Sequence, residues 1–213
     1  MAKLSSGILG GISGTVGNVV GGSWRGVDYI RSKPATVKNP NTEAQQTQRA
    51  RFRLVISLLK KILPFINIGF SKGVRNQTPM NRAVSVNLKQ AVTGTLPDLK
   101  IDPEKLVLSQ GVLPGGPSAA SDASTAGTVT ITWQDNTGES GASADDGAMV
   151  LIYNQDKDSV VYRLNAAVRS DGTIDVSIPA NWSGDTIAVY LAFRSALGQD
   201  VSGSQFLGSE TAA

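Results

Sequence analysis

The 213-residue chain contains no cysteine and no histidine. Without thiols there is no disulfide framework, no thiolate nucleophile and no thiolate metal site. Without imidazole, the side chain best suited to proton transfer near neutral pH and the commonest metal ligand are both missing. These gaps exclude Ser-His-Asp and Cys-His catalysis, zinc sites and HExxH metalloprotease chemistry, and leave only carboxylate, lysine or backbone chemistry. Long hydrophobic runs are lacking too. The most apolar stretch, Leu54 to Phe70, carries Lys60 and Lys61 in its middle, which disfavours a membrane-spanning helix. The apolar residues from Leu4 to Val20 are broken every few positions by glycine and form no compact signal-peptide core. The composition therefore predicts a soluble protein made in a cytoplasm, not an enzyme, with no catalytic residue, cofactor or metal.

Acidic residues are scarce in one half only. Residues 1–100 hold 15 Lys and Arg against 3 Asp and Glu, a net +12, whereas residues 101–213 hold 5 against 14, a net −9, within the overall +3. Such asymmetry points to two domains with different neighbours, the basic one facing nucleic acid or an acidic protein surface. The plainer reading is two solvated domains of different charge.

Eight glycines fall within the first 26 residues, at 7, 10, 11, 14, 17, 21, 22 and 26, with Ile, Leu and Val between them. Glycine at this density is costly to order, so the segment reads as an extended arm that gains structure by close packing against a partner. It lacks the Gly-Lys-Ser/Thr ending, the GxGxxG pattern and the preceding strand of a phosphate-binding loop. Trp24 to Arg31 then alternates aromatic or β-branched with charged residues, as a half-exposed strand would. Such a segment also suits stacking on single-stranded nucleic acid, although one Trp and one Tyr favour packing.

Thr42, with Gln45 three residues on, forms a capping-box signal that starts a helix at Glu43. The stripe Phe52, Val55, Ile56, Leu59, Ile62, Leu63 and Ile66 recurs at helical spacing, and Pro64 should kink or end the helix. Thr78 as cap, Pro79 at the first helical position and the stripe Met80, Val84, Leu88, Ala91 and Val92 predict a second helix ending before Gly94. The two stripes can pack together as a hairpin. Arg25, Arg31, Arg49, Arg51, Arg53, Lys60 and Lys61 are the candidate assembly or polyanion contacts, though neither helix carries a helix-turn-helix signature.

Beyond Pro103 the texture becomes short apolar runs separated by Gly, Asp, Asn, Ser and Pro. Residues 106–108, 128–133, 148–153, 160–164, 173–178, 186–194 and 204–207 read as seven strands, a spacing suited to an immunoglobulin-like or fibronectin-like sandwich. The acidic turns at Asp135, at Asp145 and Asp146, and at Asp156 and Asp158 offer oxygen ligands but match no EF-hand loop, and read as solvated turns. The expected fold is thus α+β. A basic domain, 1–100, holds the Gly-rich arm, a short strand and two helices; an acidic immunoglobulin-like β-sandwich spans 101–213, with the division near residues 94–105.

The run Gly10 to Val20, then Trp24 to Arg31, then Asn39-Pro40-Asn41-Thr42-x-x-Gln45 resembles a family of uncharacterised proteins of about this length from Bacteroidota and their phages. The likeness extends over the whole chain. Its helix start also resembles segments of some phage structural proteins. The resemblance implies no transferable site residue. Together with the bare catalytic composition it makes a virion subunit the leading expectation, capsid- or tail-associated, with the N-terminal half docked into the assembly. Its partners would be further copies or other virion proteins, and its location the virion, or alternatively the cytoplasm. The alternatives are a nucleic-acid-binding or packaging protein using the basic half, and a surface adhesion or glycan-binding module.

Overall fold

The computed structural model describes residues 3–4, 10–24, 26–36, 40–72 and 77–213. Within them the chain is mixed α and β, with three α-helices, several antiparallel sheets and a mostly β C-terminal part. It divides into two compact units, residues 1–42 and 43–213.

The smaller unit is a four-stranded antiparallel sheet in the order β1 (Lys3–Leu4), β2 (Ile12–Val16), β3 (Val19–Trp24) and β4 (Val27–Ser32). Gly17, between β2 and β3, has φ 55° and Gly26, just before β4, has φ 83°, a backbone region in which hairpin turns favour glycine. The glycine-rich arm is therefore not a single extended segment, and the strand expected over Trp24 to Arg31 is split by the Gly26 turn. Gly7 and Arg25 lie outside the described residues.

In the larger unit, α1 (Glu43–Lys61) begins where the capping signal places it. It stops one residue before α2 (Leu63–Gly69), which carries Pro64 in its first turn, where the missing N–H has no helical partner to lose. Helix α3 (Pro79–Gln90) is capped by Thr78, whose Oγ1 accepts a hydrogen bond from the Asn81 N–H at 3.2 Å. A small ribbon of β5 (Val92–Thr93) and β6 (Lys100–Ile101) follows.

Seven further strands make two sheets. One runs β11 (Thr173–Ser177), β8 (Thr128–Thr132), β7 (Ala120–Asp122); the other runs β10 (Ser159–Arg163), β9 (Gly147–Asn154), β12 (Thr186–Arg194), β13 (Gln205–Thr211). Their facing sides share one core: Val129, Ile131 and Val176 from the first meet Val150, Ile152, Val189 and Leu191 from the second. The opposite side of the four-stranded sheet presents Met149, Leu151, Ala188 and Tyr190 to Leu58, Leu59, Phe65 and Val84 of the helices, in a second core. The helices therefore form a third layer on the larger sheet, and β9 is buried along its whole length.

This layering corrects two expectations. Residues 106–108 are not a strand: Leu106 and Leu108 turn into the helical core while Val107 is clamped by Asn87 of α3, which accepts from the Val107 N–H and donates to its carbonyl, both at 2.8 Å. The division expected near residue 100 falls inside the larger unit, because the helical stripe is buried against the sheet and not only within its own hairpin. A fragment of residues 101–213 would expose Met149, Leu151 and Tyr190 to water. It is expected to aggregate or bind a hydrophobic dye, whereas residues 43–213 should melt cooperatively by circular dichroism.

Candidate functional site

The N-terminal sheet exposes its apolar side chains. Among the described residues of 1–42 no hydrophobic side chain is buried, and Val16, Trp24, Val27 and Ile30 are each at least 59% exposed. The pairs Val16 with Val19, Gly21 with Ile30, Gly22 with Tyr29 and Trp24 with Val27 decide which side chains share a face, since cross-strand partners point the same way. One face holds Ile12, Val16, Val19 and Ile30. The other holds Val20, Trp24, Val27, Tyr29 and Arg31. Tyr29 lies across its partner Gly22, whose bare backbone leaves room for the ring. A sheet apolar on both faces needs cover on both, as strands buried between two layers do.

The candidate basic residues are sorted by the fold into three groups. Arg31 is exposed on β4 of the N-terminal sheet, and Arg25 lies outside the described residues. Arg49, Arg53 and Lys60 sit at i, i+4 and i+11 along α1, all exposed, within one stripe opposite the buried Val55, Leu58 and Leu59. Arg51 and Lys61 bond within the larger unit. Arg51 Nη2 donates to the Val92 carbonyl at 3.3 Å, and Lys61 Nζ pairs with Asp158 Oδ2 at 2.6 Å.

Asp158 also accepts a hydrogen bond from the Tyr153 hydroxyl at 3.2 Å, at the end of a groove of about 450 Å³ between α1 and β6. Burial, reinforced by the Asp158 charge, pushes the Tyr153 phenol up to about 12. The remaining acidic turns are engaged in the same way. Asp135 accepts from the Thr137 N–H and hydroxyl of its own turn, and the Asp156 carboxylate accepts from the Thr186 N–H at 2.6 Å. Among the described residues no cluster of three or more potential metal ligands occurs.

One carboxylate departs from the solvated turn expected of it. Asp146 is buried and pairs with the wholly buried Arg169, Nε to Oδ2 at 3.1 Å. The guanidinium also donates to Asn136 Oδ1 and to the carbonyls of Pro114 and Gly115, and stacks 4.0 Å from the Phe193 ring centroid. Trp133 closes the network by donating its Nε1–H to the Arg169 carbonyl. With four of its five N–H donors taken up by the protein and its charge paired, this buried cation is a structural node. Arg169 is one of three arginines in the acidic half, with Arg163 and Arg194, and nothing in the sequence set it apart from them.

No helix among the described residues is long and apolar enough to cross a membrane. The model of a family of unknown function (DUF6266) matches residues 11–208, from the first hairpin into β13. No curated protein matches the chain.

Removing one partner of the buried pair, by Asp146→Ala, should cost about 3–5 kcal/mol, because an uncompensated guanidinium then stays in the core; denaturant unfolding measures it. Tyr153 gives a test of opposite character. Its phenol holds its proton more firmly folded than unfolded, so its stabilisation is complete below about 10 and lost as the pH climbs toward 12. Unfolding midpoints across that window should fall less for Tyr153→Phe than for the parent chain.

Proposed function

The chain belongs to the family of unknown function (DUF6266), and from that premise we propose that it is a non-enzymatic structural subunit that assembles through its N-terminal sheet. The observation that carries this reading is the two-sided apolar sheet without a buried hydrophobic residue among those described. A segment of this size with its apolar side chains in water lacks the burial that offsets chain entropy. Contact with a partner supplies it. The resemblance to uncharacterised proteins of Bacteroidota and their phages, and of the helix start to segments of some phage structural proteins, supports a virion as the assembly, with the chain capsid- or tail-associated.

We read the two larger sheets as an immunoglobulin-like sandwich, since β11-β8-β7 facing β10-β9-β12-β13 follows the E-B-A and C′-C-F-G order of that architecture. On this reading the sandwich is the displayed part. The solvent side of the smaller sheet carries Thr128, Thr130, Thr132, Thr173 and Asp175, a polar surface that suits exposure, with Thr130 donating to Asp175 at 2.7 Å. The helices cover the other broad face, so neither offers the aromatic platform that a glycan-binding reading would favour.

A second reading has one observation of its own, the stripe of Arg49, Arg53 and Lys60 on α1, whose spacing suits contact with a phosphate backbone. Deleting residues 1–36 separates the two. Assembly predicts that the truncated chain stays folded and falls to a monomer in sedimentation, with the full chain larger. Nucleic-acid binding predicts that the truncated chain keeps a DNA affinity that drops steeply with salt and is lost in Arg49→Ala/Arg53→Ala/Lys60→Ala. A truncated chain with the parent's mass would overturn the assembly reading.

A further inference from the structure

We propose that the partner of the N-terminal sheet is the same sheet of a second copy, joined edge to edge through β4 about a two-fold axis. The inference rests on the assembly reading and adds the identity and register of one contact, that along the edge; cover for the two apolar faces falls to other contacts of the assembly.

Among the described residues β4 pairs with β3 alone, and it ends the sheet. All six of its residues are exposed. Natural edge strands are usually guarded by charged side chains, lysine above all, or by proline, a bulge or a covering loop. Val27 to Ser32 contains no lysine or proline and runs without a bulge, and its two charges, Asp28 and Arg31, are of opposite sign, so a second copy can receive both. Lys33 N–H donates to the Asn18 carbonyl at 2.7 Å, which fixes the hydrogen-bonding phase of the hairpin. By the alternation of antiparallel pairs, residues 27, 29 and 31 bond to β3, while the N–H and C=O groups of Asp28, Ile30 and Ser32 face outward.

A two-fold axis normal to the sheet joins two such edges antiparallel and keeps each face continuous, so a residue meets only a residue of its own parity. Two registers then use the outward groups centrally. Centred on Tyr29, the pairing sets Asp28 against Ile30 and Arg31 against Val27, a charge on an apolar partner each time. Centred on Ile30, it sets Ile30 against Ile30, Asp28 against Ser32 and Tyr29 against Arg31. The second register places each cation beside a phenol ring and brings no like charges together. Charge and hydrophobicity therefore agree on one arrangement, an eight-stranded sheet with Ile30 at its centre.

Two substitutions in the full chain test this. Ile30→Pro removes an outward N–H and leaves the bonds to β3 intact, so sedimentation equilibrium should show half the parent mass. Because the chain has no cysteine, Ile30→Cys should form a covalent dimer under mild oxidation, while Val19→Cys, inside the sheet, should not. A parent mass for Ile30→Pro, or equal crosslinking of the two cysteine variants, overturns the proposal. If the 1–36 deletion is monomeric while Ile30→Pro keeps the parent mass, assembly through the sheet stands and the edge pairing fails. If the deletion also keeps that mass, both fall.

Discussion

The larger unit is organised by one constraint: β9 and β12 are apolar at nearly every position, so both of their faces must leave water. Alternate residues divide between two cores, Ala148, Val150 and Ile152 toward the smaller sheet and Met149, Leu151 and Tyr153 toward the helices. A two-layer sandwich alone would leave the second set exposed. The helical layer is thus the cover that makes such strands possible, and the segment from Pro103 to Leu113 is drawn over the edge to hold it. Tyr190 donates to the Pro103 carbonyl there, Asn87 clamps Val107, and Ser109 donates to the Ser202 carbonyl at 2.6 Å. These bonds satisfy backbone groups in a segment with no ladder of its own.

Where that segment runs on past Leu113, the Arg169 network fastens loops in place of strands. A buried guanidinium is tolerable only when its charge is paired and its donors are nearly all used. Here it gathers residues 114–115, 136 and 146 onto one side chain, and the Phe193 ring takes its flat face. The Asp145 and Asp146 pair that looks like one solvated turn is divided by this demand: Asp145 stays exposed and Asp146 goes inside.

Much of this order was legible in the residues. The start of α1, the interruption at Pro64, the Thr78 cap and six of the seven sandwich strands follow from periodicity and turn chemistry. The three-layer arrangement was written there as well, in the unbroken apolar runs of β9 and β12; strands with one wet face alternate, and these do not. Reading them merely as strands placed the division near residue 100. The Gly17-Asn18 turn was hidden for a related reason, since dense glycine elsewhere in the segment masked the two positions whose φ identifies a hairpin. The Arg169 pairing had no local signature, because its partners come from sites 23 to 55 residues away.

The two units answer the same physical requirement by different routes. In the larger one, each apolar strand face has a layer of the same chain against it, and nearly every buried side-chain polar group has a bond. In the smaller one, a chain with little room for bulk uses glycine to bring strands together, places apolar residues on both faces, and ends in a strand whose outward backbone groups meet no further strand among the described residues. Those features would be a liability in a solitary molecule, since an open edge invites promiscuous pairing. On the proposed pairing they become an advantage, because the charged and aromatic positions along β4 favour one register over the neighbouring one two residues away. The N-terminal sheet is, on that pairing, half of an interface, and the sequence of its edge strand supplies the specificity.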